Sequence, residues 1–193
     1  MPKNIKIRWY SRAGQGAITA SSSIAQILGQ QKNTFTQSFS EFGAEKRGSP
    51  VTVFTRISSH PIETVHQIQI ADFAILFDQT LLNDAELSIN TIINNLNQNG
   101  HLLINGKNNF SQFSIFKGKL WQIDAKKIAL EELGRNIPNI AIVAAFLKIS
   151  HLFSSVEFKK NLKKVLQKLP PKIIQANLKA FDRGYNEVKP IIY

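Results

Sequence analysis

Apolar and charged residues alternate at the start of the chain, where Ile5, Ile7 and Trp9 are separated by Lys6 and Arg8. A period of two with no breaker predicts a strand over 4–10. The pattern then changes. Ile18, Ile24, Ala25, Ile27 and Leu28 fall close to one helical stripe, so a helix is predicted from about Ala17 to Gln30. Further strands are predicted over 34–39, 51–58 and 72–77, the last a compact apolar run of the kind buried on both faces. Residues 83–100 open on a capping residue and close on Gly100, which predicts a helix. Short strands follow over 101–105 and 120–124. The last third reads as helices over 125–134, 139–153, 155–169 and 171–188. The second of these is apolar nearly all round and is expected to be buried; the last opens on proline at a tolerated position.

Strands alternating with helices imply an α/β fold, a Rossmann-like, mostly parallel sheet with helices on both faces and a helical C-terminal part. The first strand-to-helix turn then lies at the carboxyl end of the sheet, where such folds bind ligands. That turn reads Ser-Arg-Ala-Gly-Gln-Gly over 11–16. It carries Gly14 and Gly16 but has Thr19 where a dinucleotide fingerprint places its third glycine, and no Lys-Ser/Thr follows as in a phosphate-binding P-loop. Two readings stand: an anion site built from helix-start amides with Arg12 beside them, or a tight turn that needs small residues.

A second loop, Glu-Phe-Gly-Ala-Glu-Lys-Arg-Gly-Ser-Pro over 41–50, sets Phe42 among polar residues and frames Glu45, Lys46 and Arg47 with Gly43 and Gly48. It reads either as a binding loop, with cations for phosphate or carboxylate and glycine for close approach, or as a surface loop anchored by Phe42. Asp78 follows the 72–77 strand as a rim residue or a turn former. Asn139 stands where a helix cap is expected.

Composition narrows the chemistry. The 193 residues contain no cysteine, which removes disulfides, thiolate zinc sites, cysteine-ligated clusters and cysteine nucleophiles from this polypeptide. His60, His66, His101 and His151 are scattered without ligand spacing, and no paired carboxylates or nucleophile–base arrangement stands out, so no catalytic or metal-ligating residue is assigned. No apolar stretch reaches the roughly 18–20 residues a membrane span needs, and the expected setting is cytoplasmic. The formal charge is +11. Such a field attracts nucleic acid, acidic proteins or phosphorylated small molecules. Six lysines against one glutamate lie within 157–172. A nucleic-acid module is disfavoured because that cluster sits on one amphipathic helix without interleaved aromatics. A free-standing Rossmann-like dinucleotide-binding protein is the alternative, with Glu41 at the distance of its ribose-binding acid.

In order along the chain, "GQGAIT" (14–19), "EFGAEKRGSPV" (41–51), "DFAILFDQTLL" (72–82) and "IALEELGRNIPNIAIVAAF" (128–146) resemble the gamma subunit, or gamma domain, of 2-oxoacid:ferredoxin/flavodoxin oxidoreductases, most of all the pyruvate branch. Members often carry G-R-G-G-Q-G in the first turn, where this chain has Ser11 and Ala13. The indolepyruvate branch carries a second loop closer to M-A-Q-R-G-G, which this chain lacks. The resemblance implies a single gamma-type domain over 1–193. It implies an enzyme complex that oxidatively decarboxylates a 2-oxoacid, pyruvate in this branch, to an acyl-coenzyme A such as acetyl-CoA. Ferredoxin or flavodoxin accepts the electrons. Alpha, beta and delta-type partner subunits would hold thiamine diphosphate, Mg2+ and iron–sulfur clusters. Coenzyme A would fall to this chain: Arg12, Gly14, Gln15 and Gly16 as a cradle for its pyrophosphate or pantetheine, and Gly43, Lys46, Arg47 and Gly48 as a second wall gripping the 3′-phosphate. Glu41 and Phe42 would shape the loop or face a partner subunit.

Overall fold

The computed structural model describes residues 4–42, 48–83, 87–107 and 110–192. Seven strands form one sheet in the order β2-β3-β1-β4-β5-β6-β7. They are β1 (Asn4–Arg12), β2 (Phe35–Phe42), β3 (Pro50–Ser58), β4 (Ala71–Leu76), β5 (Leu96–Asn105), β6 (Lys119–Ile123) and β7 (Lys189–Pro190). β1, β4, β5 and β6 are mutually parallel and form the centre. β3 runs antiparallel to both β1 and β2, and β7 runs antiparallel to β6, so the sheet is mixed.

Alternation along β1 divides the core. Ile5, Ile7 and Trp9 face α1 (Ala17–Leu28), α3 (Ala125–Leu133), α4 (Asn139–Ser150), α5 (Ser155–Val165) and α6 (Pro171–Glu187). Tyr10 faces the other way, toward Leu81, Ile92, Phe110, Phe113 and Phe116. That second face is covered by the six-residue α2 (Ile89–Asn94), two 3-10 turns and irregular chain. The two layers are therefore unequal.

α4 is the centre of the helical layer. Ten of its twelve residues are buried, as its all-round apolar character requires. Gly184 of α6 lies so close to Ala141 that a Cβ there would overlap the α4 backbone. Glycine thus sets the approach of the two helices. A buried hydroxyl chain fixes α1 on the sheet: Trp9 Nε1 donates to Thr55 Oγ1 at 2.8 Å, which is also 2.8 Å from Ser21 Oγ of the helix. Each of these polar atoms is desolvated, so leaving one unpaired would cost about 1–3 kcal/mol.

Several elements differ from the sequence pattern, among them the helices expected over 139–153 and 155–169, which end at Ser150 and Val165. The helix expected over 83–100 is realised as α2, capped by Ser88 Oγ, which accepts from Thr91 N. The chain leaves the helix at Asn95, and Leu96 already pairs with Ala71 of β4. Cross-strand pairing overrides a run of Ile and Leu at helical spacing. The helix expected to run to residue 188 ends at Glu187, and the short β7 follows. No described helix is long and apolar enough to cross a membrane.

Candidate functional site

The site begins at the carboxyl end of β1. Arg12 is the last strand residue, and Ala17 opens α1. The chain reverses between them through Gly14 at φ +97° and Gly16 at φ +89°. Both values lie in the left-handed region that favours glycine. Gly16 is also the N-cap of α1. No described side chain caps that helix start, and its first turn holds no acid.

The second loop arrives here because β3 is antiparallel to β1. Register pairs Arg12 with Pro50 and Ser11 with Val51, so the β2–β3 connection is delivered to the glycine turn. Backbone bonds continue the pairing: Ala13 N donates to Ser49 O at 2.9 Å, and Gly48 N donates to Ala13 O at 3.3 Å. Gly48 has φ +88°. Arg12 and Ala13 thus share one wall with Gly48 and Ser49, more than thirty positions along the chain. Gly43, Lys46 and Arg47, the remaining second-loop candidates, lie outside the described residues.

Side chains hold the wall in place. Arg12 Nη1 donates to Gly48 O at 3.1 Å and Nε donates to Thr80 Oγ1 at 2.9 Å; Nε is also 3.9 Å from Asp78 Oδ2. Arg12 therefore bridges the glycine turn, the second loop and the end of β4. Gln15 turns toward Asp78, with Nε2 donating to Oδ2 at 2.5 Å. Its Oε1 accepts from Arg12 N at 3.0 Å and from Ser11 Oγ at 3.2 Å. Asp78 Oδ1 in turn accepts from Thr80 N and Thr80 Oγ1. Burial pushes the Asp78 carboxyl up, but the bonds from Thr80 and Gln15 and the nearby Arg12 charge outweigh it and hold it below its ordinary value. Asp78 forms the turn and braces the site at once.

A cavity of about 300 Å³ lies against this wall, lined by Arg12, Ala13, Gly14, Gly16 and the first turn of α1 from Ala17 to Thr19. Gln15 does not line it. Ile18, expected on the buried stripe, is 41% exposed and forms part of this rim. A Cβ on Gly14 would meet nothing within 4 Å, whereas one on Gly16 would come within 3.2 Å of Asn139. Asn139 is buried, and its Oδ1 accepts from Ile140 N at 2.8 Å. It is the first residue of α4, after an N-cap at Pro138 that makes no side-chain capping bond, so it is not the helix cap expected; its side chain packs that helix start under the turn.

Sequence patterns missed two supports. Thr80 links Asp78 to Arg12; its signal is the Asp-x-Thr spacing of an Asx-type turn. Asn105, at the end of β5, donates from Nδ2 to Phe77 O and accepts from Ala125 N, tying β4 to the start of α3. Glu41 is exposed and accepts from Gln67 Nε2. Among the described residues no group of three or more His, Asp or Glu is placed to hold a metal ion.

A sheet with a parallel centre, helices packed on it and a glycine turn over a cavity at the end of β1 defines an α/β domain of Rossmann-like type. The chain belongs to the pyruvate ferredoxin/flavodoxin oxidoreductase family, whose pattern matches residues 6–187. It is 35% identical over 191 residues to pyruvate synthase subunit PorC of Thermotoga maritima, covering 97% of this chain and 96% of that one. The crystal structure of that pyruvate oxidoreductase subunit superposes with a TM-score of 0.82 at 34% identity, over 98% of this chain and 99% of the other. It is also 32% identical to the pyruvate/ketoisovalerate oxidoreductases common subunit gamma of Thermococcus kodakarensis, over 98% of each chain. The same fold recurs at TM-score 0.73 and 19% identity in 2-oxoglutarate:ferredoxin oxidoreductase of Magnetococcus marinus, solved with 2-oxoglutarate, coenzyme A and succinyl-CoA bound; it covers 95% of this chain and 31% of that one. The family resemblance carried by the two glycine loops is thereby borne out.

Proposed function

We propose that this chain is the gamma subunit of a pyruvate:ferredoxin/flavodoxin oxidoreductase complex and supplies a coenzyme A-binding wall to it. The observation that carries the reading is the antiparallel register of β1 and β3. It joins the glycine turn and the second loop into one surface beside an uncapped helix start. Uncapped first-turn amides and the helix dipole favour a phosphate. The cavity, about 300 Å³, sits at the lower end of the range for ligand pockets, about 300–1,000 Å³, and suits one segment of an extended ligand. The amides around Gly14 and Gly16 receive the pyrophosphate or pantetheine. Arg12 acts mainly as the clamp between the two loops. Lys46 and Arg47 meet the 3′-phosphate, where a guanidinium suits bidentate contact.

In this reading thiamine diphosphate, Mg2+ and iron–sulfur clusters reside in alpha, beta and delta-type partners, and the assembly is cytoplasmic. A chain without cysteine supplies no thiolate ligands to a cluster. The 193 residues act as one domain. Reconstitution tests the assignment. Complex assembled with this chain is expected to reduce methyl viologen in the presence of both pyruvate and coenzyme A. Equal turnover from complex prepared without it would remove the chain from the reaction.

A further inference from the structure

Six of the 24 lysines and arginines lie within 157–172, on a surface that the candidate site does not use. α5 buries Phe158 and Leu162 against the helical layer. Lys160, Lys163 and Lys164 project from its opposite side, and Lys168 and Lys172 continue the exposed row through the elbow into α6. Lys159 is paired with Asp182. Among the described residues no ion pair involves the other five. Only the last turn of α5 gains from cations at the helix C-terminus, so the dipole accounts for Lys163 and Lys164 alone. Val165, Leu169 and Ile173 stand partly exposed within the lysine row. The result is a small apolar centre with a cationic rim.

We infer that the α5–α6 elbow is a docking surface for an acidic electron-carrier protein, and that the carrier is the ferredoxin-type acceptor of the complex. The inference rests on the functional reading above. Charge complementarity selects an acidic protein. The lysine density selects a transient partner over a permanent subunit. Stable interface cores are depleted in lysine, whereas an exposed field of one sign raises encounter rates. A carrier that must arrive, take an electron and leave benefits from fast steering more than from a large buried area.

The test uses the assembled complex and a purified acidic ferredoxin. The triple variant Lys160→Glu, Lys164→Glu and Lys168→Glu is expected to raise KM for ferredoxin about tenfold and to flatten its salt dependence. Pyruvate-dependent reduction of methyl viologen, a small acceptor, is expected to stay unchanged. Unchanged ferredoxin KM and salt dependence would overturn the inference. So would binding of anionic phosphatidylserine vesicles to this face without any effect on ferredoxin, which would assign it to a membrane. Carbodiimide cross-linking of ferredoxin carboxylates to the unsubstituted complex decides the matter if the variant does not assemble. Links to lysines within 160–172 support the surface, and links confined to other subunits overturn it. Absence of pyruvate-dependent viologen reduction by the unsubstituted complex would strike the functional reading itself, separately from the docking surface.

Discussion

Gln15 of the glycine turn donates to Asp78, sixty-three positions away at the end of β4, at 2.5 Å. One side chain therefore sets the turn against the strand beside it. Gln15→Ala is expected to leave the fold intact and to loosen the turn. The loss of a hydrogen bond to a carboxylate predicts about 1.5–3 kcal/mol of stability at most, less here because the pair is partly exposed. Apparent KM for coenzyme A is expected to rise with little change in KM for pyruvate. Steady-state kinetics on the complex check the split, and urea unfolding of the chain checks the cost. Equal effects on both substrates would show that Gln15 does not position the glycine turn for coenzyme A.

Asp78 gives the site a pH signature. Its folded-state pKa is depressed, because the bonds from Thr80 and Gln15 and the Arg12 charge win over burial. Its contribution is therefore present above the ordinary carboxylate value of about 3.9 and lost as pH falls through the lower folded value. Asp78→Asn is expected to flatten this part of the acid limb of the stability curve. Unfolding curves collected from pH 5 downward, compared with the parent chain, read the difference. Parallel acid limbs would contradict the assignment.

The two turn glycines are expected to respond unequally. Gly14→Ala meets open space and carries backbone strain alone, about 1–2 kcal/mol. Gly16→Ala carries the same strain and also crowds Asn139. It is expected to cost more, and Asn139→Gly is expected to recover the excess in the double variant. Chemical denaturation midpoints of the parent, the three single variants and the double variant test this. Additive losses would show that Gly16 and Asn139 do not bear on one another.

Arg12 spans three segments with one planar head group, bonding Gly48 O and Thr80 Oγ1 together. Arg12→Ala is expected to weaken coenzyme A binding in the complex by about tenfold at unchanged secondary structure. Arg12→Lys is expected to restore little of it, since an ammonium lacks the fork geometry. Full recovery by lysine would reduce the clamp to a simple charge.

The glycine turn was legible in the chain because its neighbours are unambiguous. Ile5, Ile7 and Trp9 define a strand, and Gly14 and Gly16 stand before a helical stripe. The meeting of the two loops was not. It follows from the antiparallel placement of β3 between β2 and β1, a long-range choice that local alternation does not encode. The early start of β5 was hidden for a related reason. Residues 97–99 are exposed Asn and Gln without alternation, and they fill the register irregularity between the Ala71–Leu96 and Phe73–His101 pairs. Asp78 was legible as a turn former, yet its hold on Gln15 and Arg12 depends on parallel β1–β4 pairing. Lys46 and Arg47 enter from the resemblance and from their charge, and their role rests on experiment.

The central claim is that this chain's two loops together recognise coenzyme A by its phosphates. Calorimetric titration of the assembled complex with coenzyme A and with dephospho-coenzyme A tests it most directly, run with the native chain and with Lys46→Ala/Arg47→Ala. The native complex is expected to bind coenzyme A about tenfold more tightly than the dephospho form. The double variant is expected to bind the two alike. Undiminished discrimination in the double variant would place the 3′-phosphate on another subunit and contradict the account.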